Sequence, residues 1–158
     1  LGAGTGELGV SLARLGVNVD GLDLWPRPAL WPAARAWHVA DLRTFTAFDG
    51  YDAVFGNLIL HQFPESELRS LGHRISRSAR LIMACEPHRR RLSQLLYRTL
   101  APLCGANHVS LHDAQVSIAA GFRGDELPRA LGLPPDEWEI SGTTSALGIC
   151  RMLAIRRP

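Results

Sequence analysis

The first nine residues, Leu1-Gly2-Ala3-Gly4-Thr5-Gly6-Glu7-Leu8-Gly9, set four glycines in eight positions directly before an apolar-periodic segment carrying Leu8, Leu12 and Leu15. Glycines this close together let the backbone turn sharply and approach a ligand with no Cβ in the way. A helix starting just after them would aim its unpaired N–H groups and positive dipole end at the same spot. The chemistry on offer is the cradling of a small polar or anionic ligand. The spacing satisfies two patterns at once. Gly4 to Gly9 fits G-x-G-x-x-G, used for dinucleotides, and Gly2 to Gly6 fits the tighter G-x-G-x-G.

Polar residues recur downstream at intervals that suggest a single rim. Asp23 ends the apolar stretch Val17–Leu24 and Asp41 ends Trp37–Ala40. Asn57 lies near the end of Tyr51–Leu60, and His61 follows directly. A carboxylate after the second strand can accept the hydrogen bonds of both ribose hydroxyls. Imidazole, with an ordinary pKa near 6.5, is a usable general base at neutral pH, so His61 is the first candidate for that role. His112, next to Asp113, is the second, as an imidazole oriented by a carboxylate. Each has a plainer reading: His61 as a packing residue, Asp113 as a helix cap with His112 exposed. The run His88-Arg89-Arg90-Arg91 is either the solvated start of a helix or a patch that attracts an acidic substrate or RNA. The solvated helix start is the plainer reading, although basic residues at a helix N-terminus are electrostatically unfavourable, a reason to look for an anionic neighbour.

The elements that must position these residues follow from periodicity. Glu7–Leu15 reads as an amphipathic helix closed by Arg14 and Gly16. Val17–Leu24 and Trp37–Ala40 read as strands, separated by a loop with three prolines (Pro26, Pro28, Pro32) in which a regular helix is not expected. Tyr51–Leu60 is a strand with its exit, and Pro64 opens a helix with Leu68, Leu71 and Ile75 on one face. Arg80–Cys85 is a continuous apolar run, expected to be buried on both faces. Helices follow over Arg89–Leu100, Asp113–Ala120 and Asp125–Leu131. Glu137–Ser145 and Gly148–Arg156 form a closing hairpin that adds an antiparallel strand at or near an edge. Strands alternating with helices predict an α/β fold, a Rossmann-like, mostly parallel sheet with helices on both faces and this terminal hairpin. A strand normally precedes a glycine loop of this kind, so the first strand reads as truncated, through a fragment or a misplaced start.

The totals narrow the class. A chain of 158 residues, 46% apolar and 20% charged, is expected to be one globular domain spanning 1–158. A net charge of +2 gives no reason to expect nucleic acid as a partner. Cys85, Cys104 and Cys150 are widely spaced and odd in number, with no C-x-x-C, so they read as the reduced thiols of a cytoplasmic protein with no metal site. No apolar run approaches membrane-spanning length.

The segments LGAGTGELG, GLDLW, Asp41-Leu42, YDAVFGNLILHQF, EPHRRR and the hairpin, in this order, resemble the class I S-adenosylmethionine-dependent methyltransferases, closest to small-molecule enzymes with a His-x-Phe or His-His-Phe sequence after the fourth strand. HDAQVSIAAGFRGDEL is similar to that group's cap and helix region. The resemblance implies S-adenosyl-L-methionine as cofactor. It implies that Gly2, Ala3, Gly4 and Gly6 pass beneath the methionine portion, and that Asp23 holds the ribose hydroxyls. Asp41 accepts from the adenine amino group with Leu42 beside it, Leu24 or Trp25 covers an adenine face, and Asn57 and Leu58 lie near the sulfonium. The acceptor is then a small molecule, aromatic or polyketide-like, methylated on oxygen or carbon, beneath an apolar roof made by Leu92–Phe122 and the Trp25–Trp31 loop. Two competing readings are an NAD(P)-dependent oxidoreductase and a truncated, non-catalytic remnant. The lack of a segment for a nicotinamide substrate domain weighs against the first.

Overall fold

A computed structural model describes residues 1–158. The elements run α1 (Glu7–Arg14), β1 (Gly21–Asp23), β2 (Trp37–Val39), β3 (Ala53–Asn57), α2 (Glu65–Ile75), β4 (Leu81–Pro87), α3 (Arg91–Leu100), α4 (His108–Ala120), α5 (Glu126–Ala130), β5 (Trp138–Thr144) and β6 (Ile149–Arg156). Short 3-10 turns cover Leu60–Gln62 and Ala101–Cys104.

The strands form two sheets. One is the parallel pair β1–β2; the other has the order β3–β4–β6–β5. In the larger sheet β3 and β4 are parallel, while β6 is antiparallel to both β4 and β5. The hairpin therefore does not simply add an edge. Its second strand enters the sheet, and β5 takes the outside position. The two sheets meet through the first residues of the chain. The Leu1 amine donates to the Phe55 carbonyl at 2.6 Å, and Ala3 N–H donates to the Leu22 carbonyl at 3.1 Å.

Several elements differ from expectation for identifiable reasons. Only Gly21–Asp23 of the stretch Val17–Leu24 is a strand, because β1 pairs with β2 over three residues only. β4 alternates half-buried and buried positions as far as Glu86, which contradicts burial on both faces, and it extends to Pro87. The fourth helix starts five residues ahead of Asp113. Asn107 caps it, its side chain accepting from Ser110 N–H at 2.9 Å. The proline-rich segment forms no helix, as proline chemistry requires.

The core is one cluster of 19 buried apolar residues. Leu68, Leu71 and Ile75, spaced along one face of α2, are each at most 2% exposed, and burying such a side chain stabilises by about 2 kcal/mol. Trp138 from β5 and Leu127 and Leu131 near α5 complete that side. By contrast α3 and α4 bury no residue fully. They pack on each other, with Gln94 and Gln115 exchanging side-chain bonds to each other's carbonyls at 2.9 and 3.4 Å.

Candidate functional site

The glycine loop lies where β1 and β3 both end. Gly2, Gly4 and Gly6 all have left-handed backbone (φ +57°, +54° and +80°), which L side chains rarely adopt. At Gly2 a Cβ would lie 2.6 Å from Ile59 Cγ1, so the absence of a side chain lets the loop close against the exit of β3. Nothing stands within 4 Å of a Cβ at Gly4, the open side of the cradle. Gly6 is the N-cap of α1 and supplies no side-chain acceptor. The first N–H groups of that helix are thus left for a ligand.

The rear of the loop is held by a residue that the sequence reading placed elsewhere. Trp31 is 4% exposed. Its ring lies where a Cβ at Gly9 would come within 2.3 Å, and it meets Trp37 edge-on at 4.9 Å. Its Nε1 donates to the Ala36 carbonyl. Trp31 is therefore a wedge between α1 and the first sheet, which corrects its expected place in a substrate roof. The signal was present: Gly9 leaves room for the Trp31 ring, and Gly21 chiefly for its edge-on partner Trp37. Trp25, by contrast, is 73% exposed.

Asp23 ends β1 with its carboxylate turned to the loop. Oδ2 accepts from Gly4 N–H at 2.7 Å and Oδ1 from Trp25 N–H at 3.0 Å. Each oxygen keeps a second lone-pair direction for another donor. Asp41 follows β2, its Oδ1 accepting from Arg43 N–H at 2.8 Å. Arg43 bridges Asp41 Oδ2 at 3.4 Å and Glu67 at 3.0 Å while lying 5.0 Å above the Phe63 ring. These carboxylates hold the Arg43 pKa above its ordinary value, the hydrogen bond to Glu67 contributing most. Gly2, Asp23, Leu24, Asp41 and Leu42 come together with Arg43, Ile59 and Phe63 around one cleft of about 140 Å³. Ala3, Gly4, Gly6, Trp25, Asn57 and Leu58 are not among the residues lining it.

Asn57 and Leu58 form the exit of β3. Leu58 is the one non-glycine residue with positive φ (55°), a conformation that costs about 1–3 kcal/mol and clusters at functional sites. Its N–H donates to the Cys85 carbonyl at 2.8 Å, so β4 holds the strained turn. The chain then enters the 3-10 turn that carries His61.

Beneath that turn lies a group that sequence reasoning missed. Glu86, near the end of β4, is fully buried. Its Oε1 accepts from Ile59 N–H at 3.0 Å and Leu60 N–H at 2.9 Å, and its Oε2 from His61 N–H at 3.2 Å. His61 Nδ1 stands 2.7 Å from Oε2. A carboxylate accepts, so Nδ1 carries a proton, and in the neutral ring Nε2 is then the atom with the lone pair. The His61 side chain is 5% exposed. Nε2 makes no hydrogen bond and is not among the buried unpartnered atoms, so it keeps a narrow opening to solvent. The available clue was an acid directly after the apolar run that ends at Cys85.

His112 is not brought into this arrangement. It is exposed on α4, and no bond joins it to Asp113. Consecutive helical residues point about 100° apart, which rules out the expected pairing. No group of three or more His, Cys, Asp or Glu side chains is placed to hold a metal ion.

No protein-family model matches this sequence, and no curated protein sequence matches it. Solved structures do. The plantazolicin methyltransferase BpumL in complex with SAH superposes with a TM-score of 0.77 at 12% identity, over 99% of this chain and 74% of that one. Magnesium protoporphyrin IX methyltransferase (ChlM) from Synechocystis PCC 6803 with bound SAH gives 0.63 at 17% identity, over 99% and 72%. Human N-acetylserotonin methyltransferase in complex with SAM gives 0.66 at 12%, over 100% of this chain and 46% of that chain. The chain thus has the fold of the class I S-adenosylmethionine-dependent methyltransferases. At these identities the likeness is one of fold.

Proposed function

We propose that this chain is a single-domain S-adenosylmethionine-dependent methyltransferase acting on a small organic acceptor, by O- or C-methylation. The observation that carries this reading is that five residues expected to touch the cofactor, Gly2, Asp23, Leu24, Asp41 and Leu42, line one cleft at the strand ends. The residues present fit such a molecule. Asp23 has lone pairs for ribose hydroxyls, the α1 N-terminus is uncapped, and Gly4 is open on its ligand side. Asp41 would take the adenine amino group, and exposed Trp25 can fold over the ring. Three solved structures of the same fold carry SAH or SAM, which supports the same cofactor here.

When bound, the cofactor supplies an electrophilic methyl carbon whose sulfonium loses its charge on transfer. The chain's own contribution is positional, holding an acceptor oxygen or carbon in line at about 3 Å. Asn57 and the strained Leu58 turn lead the chain from β3 into Ile59, which lines the cleft, and on to His61. His61, with Nδ1 held by Glu86, presents Nε2 as the atom that takes the acceptor's proton. Isothermal titration with S-adenosylmethionine and with NAD tests the reading. Saturable binding of the former alone supports it; binding of NAD alone, or of neither, refutes it.

A further inference from the structure

A second groove opens on the other side of the same rim. It is a wide, open depression of about 790 Å³, and its lining includes Arg89, Arg90, Arg91, Arg123, Thr144 and Ser145, with no Asp or Glu. It is walled by two elements in contact. The turn between β5 and β6 is tied to the end of β4 by His88 N–H donating to the Gly148 carbonyl at 2.8 Å. A Cβ at Gly148 would meet Ser93 Oγ at 2.4 Å, so the first turn of α3 rests directly on the hairpin. β3 and β4 run parallel with Asn57 opposite Cys85, so the groove and the Asn57–His61 exit share one edge of the sheet.

The charges in this groove are unequal in their commitments. Arg89 is neutralised by Glu126, its Nη2 lying 2.6 and 2.7 Å from the two carboxylate oxygens. Arg123 donates from Nε to the Arg89 carbonyl at 2.5 Å and keeps its terminal nitrogens unpaired. Arg90 and Arg91 make no ion pair and no side-chain hydrogen bond. They also stand at the N-terminus of α3, where no side chain caps the helix and the N–H groups of Arg91, Leu92 and Ser93 meet no acceptor. His88 adds a buried Nδ1 without a partner. Three guanidinium groups and an uncapped helix start, all positive, face one space. Cations at a helix N-terminus are mildly unfavourable, and a bound anion reverses that interaction.

We infer that this groove is the acceptor subsite and that it recognises a small molecule bearing an oxyanion, a carboxylate or a phosphate, through Arg90, Arg91 and Arg123. This rests on the methyltransferase reading. The groove supplies the charge contact while the Asn57–His61 edge faces the atom to be methylated. Planar guanidinium forks suit both anions, and Thr144 and Ser145 add hydroxyl donors.

The test is titration of the 158-residue chain with benzoate, inorganic phosphate and S-adenosylhomocysteine at constant chloride. Wild type is compared with an Arg90→Gln/Arg91→Gln double variant and with Arg123→Gln. These side chains are exposed, so thermal melting should be unchanged. The expected result is saturable binding of one anion, weakened about tenfold or more in the double variant, with S-adenosylhomocysteine affinity within twofold of wild type. Whichever anion binds identifies the acceptor's group. Absence of saturable anion binding, or equal affinity in the variants, overturns the subsite. Anion binding lost in the variants from a chain that never binds S-adenosylhomocysteine keeps the anion site but removes its assignment to a methyl acceptor.

Discussion

His61 Nδ1 lies 2.7 Å from Oε2 of Glu86, a carboxylate with no solvent exposure at all. The same carboxylate receives three consecutive backbone N–H groups, from Ile59, Leu60 and His61. One buried charge therefore sets both the path of the chain after β3 and the tautomer of the imidazole. Replacing Glu86 with Gln puts an amide NH₂ against some of those donors. Urea unfolding should show a loss of about 3 kcal/mol. His61→Asn, which leaves the three backbone N–H donors on Glu86 in place, should cost under about 1.5 kcal/mol yet reduce turnover at least about a hundredfold. Equal activity would remove His61 as the base.

Asp23 holds the loop as well as facing the cleft, so its substitutions separate two effects. Asp23→Ala removes the acceptor of Gly4 and Trp25 N–H groups. It should weaken S-adenosylhomocysteine about ten- to a hundredfold by calorimetry, matching one or two charge-assisted bonds. Asp23→Asn retains an acceptor and should fall between Ala and wild type. An Asn variant as weak as Ala would show that both carboxylate oxygens, each holding one backbone N–H, are needed.

Gly9→Ala and Gly4→Ala should part company. At position 9 the new methyl meets the Trp31 ring, and overpacking of this kind costs about 1–3 kcal/mol. Thermal unfolding should register that loss. At position 4 the methyl meets nothing within 4 Å, so the fold should lose only about 1–2 kcal/mol for the left-handed backbone while cofactor binding drops sharply. Normal cofactor affinity in Gly4→Ala would mean that the open side of the loop faces no ligand.

Tyr51 offers a pH signature remote from the cleft. Burial, and then its hydrogen bond to Asp20 at 2.9 Å, push its phenol up to about 12. In the unfolded chain the proton leaves near 10. Between those values the unfolded state binds fewer protons than the folded one, so stability falls as pH rises through that window. Ultraviolet titration of phenolate should show a late-titrating tyrosine. It should disappear in Tyr51→Phe and move to lower pH in Asp20→Asn. A titration of Asp20→Asn identical to wild type would leave burial as the sole cause.

Some of this was legible in the sequence because it depends on local order. The glycine spacing, Asp23 and Asp41 after short β-forming stretches, and Pro64 at a helix start are read along the chain, and the structure brings Gly2 of the loop and both acids to one cleft. What depends on partners distant in sequence was not. Val17–Asp20 has strand-like residues but no neighbouring strand, so it stays irregular. Glu86 looks like a solvated acid until β4 is seen to carry it under the 59–61 turn. His112 and Asp113 are adjacent in sequence, yet the helix points them apart. Trp31 lies in a loop whose prolines conceal that one of its rings is anchored.

The place of β6 between β4 and β5 has a kinetic consequence. Leu81 pairs with Ile155, and Glu86 with Cys150, so the strand carrying the buried carboxylate gains its second neighbour from residues made long after it. Contacts of such long sequence separation form late and slow a chain's folding. During synthesis the glycine loop and β3 emerge well before the strand that locks Glu86 in place. The His61 arrangement is therefore expected to be among the last parts of the molecule to order, so an interruption near the end of translation would disturb the site first.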